Sequence, residues 1–222
     1  MSNGLLRALS RLTRIPVRLF VRPNRRINAA MWDTQYALGL WSYLDGMSDG
    51  TVPLSLIETW APQPTILDLG CGTSANLPLA PGSYRHYHGV DISRKAIAQA
   101  RALGRPNTSF DVGDIRTFDS SERYDAILLR EVIYYLSGAE SAALLRRLPA
   151  LLTPRGRIVV QVYDVSQTGE FVEVIRTCGV PVVAEVPTWL GDGPAGAFFV
   201  LAASAEHPSA QSGGVDGRAV AP

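Results

Sequence analysis

Residues 66–72 place an acid and two glycines directly after a short apolar run. Ile66 and Leu67 favour a β-strand, Asp68 follows them, and the residues Gly70-Cys71-Gly72 form a tight turn. Glycine lets the backbone adopt a positive φ and pass close to a ligand that a Cβ would meet. A strand, a tight turn and a helix N-terminus in this order bind nucleotide-like ligands at the carboxyl end of a parallel strand.

Further segments with strand character end in charged residues. They cover residues 87–90, 108–115 and 124–129, and another strand is predicted at 156–163 after a turn rich in proline and glycine. The residues at these ends are Asp91, Asp114 with Ile115, and Arg130 with Glu131. The acid after the second strand lies about twenty residues beyond the turn, where a carboxylate reaches ribose hydroxyls. We therefore expect these side chains to surround one crevice at the edge of a parallel sheet.

These motifs resemble those of class I S-adenosylmethionine-dependent methyltransferases, over roughly residues 64–203. The resemblance implies S-adenosyl-L-methionine as cofactor. In that family the first acid and the glycine turn hold the methionine part, the second acid binds the ribose, and the third meets the adenine amino group. The implied cofactor-binding residues are Asp68, Gly70, Cys71, Gly72, Asp91, Ile92, Asp114, Ile115 and Arg130. The chain departs from the family pattern at Ser74, where a third glycine is frequent.

A nicotinamide dinucleotide site is the competing interpretation of the glycine turn. Such a site needs no acid just before the first glycine, whereas Asp68 stands two residues before Gly70, and Ala75 occupies the position of the third glycine. Carboxylates suit a sulfonium better than a pyrophosphate, because two neighbouring anions repel each other. The methyl-donor interpretation is therefore favoured over other Rossmann-like binders.

The methyl acceptor is expected beside the end of the fourth strand, which faces the transferable methyl group in this fold. Glu131 is the candidate base or acceptor anchor, and Tyr134, Tyr135 and Tyr163 are expected to shape the pocket. Glu131 could equally be an acid satisfied by a helix N-terminus. Upstream, the residues Trp32, Tyr36 and Trp41 follow a helical pattern and are predicted to form a lid, with simple core packing as the alternative.

A looser resemblance connects two segments with a bacterial subset of the family. Residues 131–136 and 32–44 are similar to those of proteins associated with glycan or nodulation-factor assembly. This resemblance implies methyl transfer to a hydroxyl or amine of a saccharide or small metabolite, in cell-surface glycan biosynthesis. The alternatives are a small-molecule natural-product or lipid methyltransferase and a non-catalytic cofactor-binding scaffold.

Composition excludes several other classes of function. The 222-residue chain is 46% hydrophobic and 18% charged, and its net charge of +1 produces no overall field that would attract nucleic acid. Cys71 and Cys178 cannot build a disulfide framework. The three histidines are badly spaced for zinc, so no metal site is predicted.

The chain divides into four regions. Residues 1–30 form a basic amphipathic segment, 31–60 a helical lid, 61–203 the methyltransferase domain, and 204–222 a tail expected to be disordered. The alternation of strands and helices predicts an α/β fold with a mostly parallel sheet. The family resemblance implies a Rossmann-like sheet of seven strands with a C-terminal antiparallel hairpin and helices on both faces.

The first region contains seven arginines and no acid. Leucines recur at helical spacing opposite these arginines, a pattern that can lie on an anionic bilayer. We expect a cytoplasmic protein that touches the inner membrane face through residues 1–26, although an organellar transit peptide has the same composition and a basic tail without contacts is the simpler alternative.

Overall fold

A seven-stranded sheet in the order β3-β2-β1-β4-β5-β7-β6 organises the computed structural model of the protein. The structure describes residues 25–41, 50–163, 165, 168–190 and 193–203. The strands are β1 Thr65–Leu69, β2 His86–Asp91, β3 Thr108–Val112, β4 Tyr124–Arg130, β5 Leu152–Val162, β6 Val182–Leu190 and β7 Gly193–Ala202. Strands β1 to β5 pair in parallel, and β7 pairs antiparallel with both β5 and β6. The predicted fold class is confirmed.

Helices cover both faces of this sheet. They are α1 Arg25–Ala37, α2 Thr51–Glu58, α3 Arg94–Ala102, α4 Gly138–Arg147 and α5 Gly169–Thr177, with 3-10 turns at Ile133–Tyr135 and Leu148–Leu151. None of these described helices combines the length and the apolar character needed to cross a bilayer.

Neighbouring residues of the central strands point to opposite faces and are buried on both. In β4, Ile127 and Leu129 pack with α4 and α5, whereas Leu128 packs with Ile57 of α2 and Ile97 of α3. A parallel strand covered on both sides reads as a continuous apolar run, which is why residues 126–129 carry no polar residue. The carboxyl ends of these strands then meet at one edge.

Side-chain caps start the two helices that flank the site. Ser93 Oγ accepts a hydrogen bond from the backbone N–H of Ala96 at the start of α3. Ser137 and Glu140 form a reciprocal capping box at the start of α4. Such caps satisfy backbone donors that the helix leaves unpaired, and each contributes about 1 kcal/mol.

Two predicted boundaries are wrong. The described helix Arg25–Ala37 includes residues before Met31 that were assigned to the basic segment. Strand β5 begins at Leu152, inside the predicted turn, with an irregular register opposite β4. The early start of β5 agrees with a contact of Thr153, whose hydroxyl donates to Asp125 Oδ1 over 2.9 Å and holds the segment beside β4. The predicted tail, and residues 1–24 of the basic segment, lie outside the described residues.

Candidate cofactor and acceptor site

A cavity of 290 Å³ opens at the carboxyl ends of β1, β2 and β4, with α1 over it. Fifteen of the predicted site residues line it: Trp32, Tyr36, Trp41, Asp68, Gly70, Cys71, Gly72, Asp91, Ile92, Asp114, Ile115, Arg130, Glu131, Tyr134 and Tyr135. Tyr163 is half-buried just beyond β5 and is not among the lining residues. The volume suits a small-molecule ligand.

The glycine turn brings the backbone against the cavity wall. Gly70 has φ +81°, and a Cβ added there would lie 2.3 Å from Val132 Cγ2. Gly72 has φ +56°, and a Cβ there would lie 2.6 Å from the hydroxyl oxygen of Tyr36. Both the backbone conformation and the space therefore require glycine at these positions.

Ser74 also adopts the left-handed conformation, with φ +54°. This explains why a glycine is frequent at this position in the family. The serine compensates through its hydroxyl, which lies 2.8 Å from the hydroxyl of Tyr87. Tyr87 in turn donates to Asp68 Oδ2 over 2.7 Å. Ser74, where the family often has glycine, therefore helps to hold Asp68 in place through Tyr87.

Asp68 is buried and keeps one oxygen available. Its Oδ1 has no hydrogen-bond partner among the described residues. Burial raises the pKa of this carboxyl, while the guanidinium of Arg130 and the Tyr87 hydroxyl act in the opposite direction. A buried acceptor without a partner costs about 1–3 kcal/mol, so Oδ1 is suited to a ligand that donates an N–H.

Arg130 is held at the same end of the cavity. Its Nε donates to Gln161 Oε1 and its Nη1 to Asn76 Oδ1, each over 3.3 Å. The guanidinium stabilises the ionised form of Asp68. The structure thus connects Arg130 with the acid of the glycine turn, and its contact with the cofactor stays a prediction.

Asp91 ties the turn to α3. Its Oδ2 accepts from the backbone N–H of Gly72 over 3.0 Å, and its Oδ1 accepts from the backbone N–H of Ser93 over 2.8 Å. Burial raises the pKa of Asp91 to about 6, and these two hydrogen bonds oppose the shift. Each oxygen retains a lone pair for a ligand hydroxyl.

Cys71 takes no nucleophilic role. The residue is buried, and burial raises the pKa of its thiol well above the ordinary value, with the carboxylates of Asp91 and Asp68 adding to the shift. The protonated thiol is a poor nucleophile.

Asp114 is already paired with a residue that the sequence analysis did not select. The Nη2 of Arg116 lies 2.7 Å from Asp114 Oδ2, and its Nη1 lies 3.2 Å from Glu140 Oε1. These carboxylates raise the pKa of Arg116. The predicted contact of Asp114 with an adenine amino group stays a prediction. An arginine two residues after the acid was the available signal for this pair.

Glu131 lies in the part of the cavity where the methyl acceptor is expected, and its backbone is strained. Its φ of +58° lies in the left-handed region, which costs about 1–3 kcal/mol for a residue other than glycine. Tyr134 donates its hydroxyl hydrogen to Glu131 Oε2. The strain and the hydrogen bond fix the direction of this carboxylate, and a 3-10 turn, not an α-helix, follows it.

Aromatic rings from α1, from the residues just after it and from the 3-10 turn line the cavity near Glu131. The ring of Trp32 meets Tyr135 edge-on at 4.8 Å and lies 5.4 Å from Trp41. Tyr134 and Tyr135 lie 5.2 Å apart. These rings and Glu131 line the same cavity.

Asn28 is another lining residue that the sequence analysis missed. It is buried, and its Oδ1 has no hydrogen-bond partner in the described part of the chain. Asn28, Trp32 and Tyr36 follow at intervals of four and lie on one face of α1. A helix predicted from Arg25 instead of Met31 would have placed Asn28 on the same face as Trp32 and Tyr36.

A family model described as a methyltransferase domain matches residues 62–185. The chain belongs to this methyltransferase family. The predicted domain type and the predicted cofactor, S-adenosyl-L-methionine, are confirmed. In the described residues, no group of three or more His, Cys, Asp or Glu side chains could hold a metal ion.

Among curated proteins, the chain is similar to the dTDP-3-amino-3,6-dideoxy-alpha-D-glucopyranose N,N-dimethyltransferase of Streptomyces fradiae. The two are 32% identical over 99 residues, which cover 44% of this chain and 38% of that enzyme. Nodulation protein S of Rhizobium tropici is 34% identical over 110 residues, or 48% of this chain and 45% of that protein. The chain thus spans less than half the length of these relatives.

A solved structure shares the fold. N-methyltransferase NodS from Bradyrhizobium japonicum WM9, in complex with S-adenosyl-L-homocysteine, superposes with a TM-score of 0.56 at 20% identity. The superposition covers 68% of this chain and 83% of that one. The predicted resemblance to the nodulation-type subset is confirmed.

Proposed function

We propose that this protein transfers a methyl group from S-adenosyl-L-methionine to a hydroxyl or amine of a saccharide or small metabolite. The observation that carries the proposal is that one cavity joins two chemically different ends. Asp68 and Asp91 lie with the glycine turn at one end, and Glu131 lies with the aromatic rings at the other.

The first end fits the cofactor. Asp68 Oδ1 is a buried acceptor suited to the cofactor's amino group, and Asp91 offers lone pairs to the ribose hydroxyls. The two carboxylates would repel a pyrophosphate, which argues against a dinucleotide. When bound, S-adenosylmethionine supplies an electrophilic methyl group on a positively charged sulfur.

The second end fits a nucleophile that must lose a proton. A hydroxyl or an ammonium group held near Glu131 would donate its proton to the carboxylate, which Tyr134 keeps in place. Trp32 and Tyr135 contact each other in the lining of the cavity, and their apolar rings disfavour water there. The chain's own task is therefore alignment and proton removal.

The relatives support a sugar amine as the acceptor. The Streptomyces fradiae enzyme is named for the dimethylation of an amino sugar linked to a nucleotide. NodS is named as an N-methyltransferase. The proposal includes a role in cell-surface glycan biosynthesis, which is supported by the similarity of residues 131–136 and 32–44 to proteins of glycan or nodulation-factor assembly.

A methyl-transfer assay with a labelled donor tests the proposal. The full chain is incubated with methyl-labelled S-adenosylmethionine and either dTDP-3-amino-3,6-dideoxyglucose, free amino sugars, neutral sugars or phospholipid. We expect label on a sugar amine or hydroxyl. Transfer to lipid alone would instead favour the lipid alternative. Cofactor binding without transfer to any acceptor would favour a scaffold, and absence of binding would contradict the assignment altogether.

We also propose a cytoplasmic location with peripheral contact to the inner membrane face through the basic N-terminal segment. Its support is the five arginines within residues 1–24, each worth about 1 kcal/mol near an anionic surface. Deleting residues 1–24 spares α1 and should lower the binding to vesicles of phosphatidylglycerol and phosphatidylcholine at least tenfold. Affinity for the cofactor, measured by titration calorimetry, should not change. Equal vesicle binding by both forms would contradict the membrane contact.

A further inference from the structure

Asp33 joins α1 to the start of α3. Its Oδ1 accepts from the hydroxyl of Ser93 over 2.7 Å and from the backbone N–H of Lys95 over 3.0 Å. The two segments are about 60 residues apart in the sequence. A carboxylate at a helix N-terminus is favoured by the helix dipole and by unpaired backbone donors, so this contact anchors α1.

The partner of Asp33 is also a partner of the predicted ribose-binding acid. Ser93 gives its hydroxyl hydrogen to Asp33 and its backbone N–H to Asp91 Oδ1. The other oxygen of Asp91 accepts from Gly72. Three residues after Asp33, the hydroxyl of Tyr36 packs over Gly72, so α1 contacts both backbone partners of Asp91.

We propose that Asp33 is a positioning residue for the cofactor, which acts by anchoring α1 on α3 and thereby holding Ser93, Asp91 and the Tyr36–Gly72 contact in their binding geometry. The proposal rests on the proposed use of S-adenosylmethionine. Asp33 touches neither the cofactor nor the acceptor in this role. It sets the position of the residues that do.

The choice of an ionised side chain supports a role beyond simple packing. Asparagine or serine could also accept a hydrogen bond from Ser93, without adding charge near Asp91. The carboxylate of Asp33 instead contributes to the raised pKa of Asp91, together with that of Asp68 on β1. The protein tolerates this repulsion, and a charged acceptor makes hydrogen bonds roughly twice as strong as a neutral one.

Calorimetric titration of the full chain with S-adenosylmethionine between pH 5 and 8 tests the role. Asp33→Ala removes the anchor and should weaken binding about tenfold or more at pH 8, because two charge-assisted hydrogen bonds are lost. Asp33→Asn keeps a carbonyl acceptor and should recover most of the affinity. Glu173→Ala, on the exposed side of α5, removes one carboxylate far from the site and should bind like wild type.

The pH dependence of cofactor affinity tests whether the Asp33 carboxylate lies close enough to act on Asp91. The charged groups that act on Asp91 are Asp33 and Asp68, and both Asp33 variants remove one of them. The pH midpoint of cofactor affinity should therefore move to lower pH in both variants. If Asp33→Ala does not fold, Asp33→Asn decides: its neutral acceptor makes weaker hydrogen bonds to Ser93 and Lys95, so it should still bind the cofactor more weakly than wild type at pH 8. Wild-type affinity at pH 8 in the folded variants would overturn the proposal, whether or not the midpoint moves. Absence of binding by the wild type would instead overturn the proposed function.

Discussion

Replacing Asp91 by alanine is expected to lower the affinity for S-adenosylmethionine by at least about thirtyfold. Each ribose hydroxyl left without an acceptor costs about 1–3 kcal/mol, and two are lost. The backbone N–H groups of Gly72 and Ser93 lose their acceptor as well, which loosens the turn. Titration calorimetry at pH 8 measures the change, with Asp119→Ala, an exposed carboxylate after β3, as the control. A loss smaller than about threefold would exclude Asp91 from the ribose site.

The raised pKa of Asp91 gives this prediction a pH dependence. Its value of about 6 exceeds the ordinary 3.8, so the folded protein takes up a proton as the pH falls through 6. The carboxylate that accepts ribose hydroxyls is then lost, and affinity should fall about tenfold per unit below pH 6. The free energy of unfolding should change in the opposite direction. Between pH 6 and 4 the folded state binds more protons than the unfolded state, so the cofactor-free protein gains stability on acidification, on the order of 3 kcal/mol in total.

Chemical unfolding of the cofactor-free protein across this pH range measures that contribution. The difference between wild type and Asp91→Ala isolates it, because Asp68 and the other carboxylates titrate in both proteins. We expect Asp91→Ala to lack the gain below pH 6. Parallel curves for the two proteins would show that Asp91 titrates normally in the folded state.

Replacing Glu131 by glutamine is expected to lower turnover about 10²–10⁴-fold, the usual range for the loss of a general base. Glutamine keeps the shape of the side chain and an oxygen for the hydroxyl of Tyr134, but it cannot take up a proton. Cofactor affinity should stay within about twofold of wild type, because Asp68 and Asp91 are unchanged. Single-turnover methyl transfer and titration calorimetry measure the two quantities separately. Unchanged turnover would show that Glu131 is not the base.

The pH profile of the Glu131→Gln variant identifies the nucleophile. An amine needs only to be unprotonated, so the defect should shrink as the pH rises and free amine becomes abundant. A hydroxyl acceptor remains protonated as the pH rises, so the lower turnover of the variant should persist. Tyr134→Phe is the matched control, since it removes the hydrogen bond to Glu131 while it leaves the carboxylate, and it should cost less than Glu131→Gln.

The sequence alone predicted which residues of the glycine turn and of the strand ends line the cavity. The glycines at 70 and 72, and the acids at 68 and 91, are required by local geometry: a backbone with positive φ, close approach to a ligand, and a place at the end of a strand. The alternation of apolar strands and helices likewise predicted the mostly parallel sheet, and the family resemblance implied its antiparallel end. These features are determined by short segments, so they can be recognised without knowing how the segments pack.

Only the tertiary structure showed how distant segments complete the site. Asp33 meets Ser93, Arg116 pairs with Glu140, and Arg130 acts on Asp68. Each of these contacts depends on the angle at which one element crosses another and on the rotamer that packing allows. Hydrophobic periodicity shows which face of an element is buried, but it does not show which polar group of another element that face will meet.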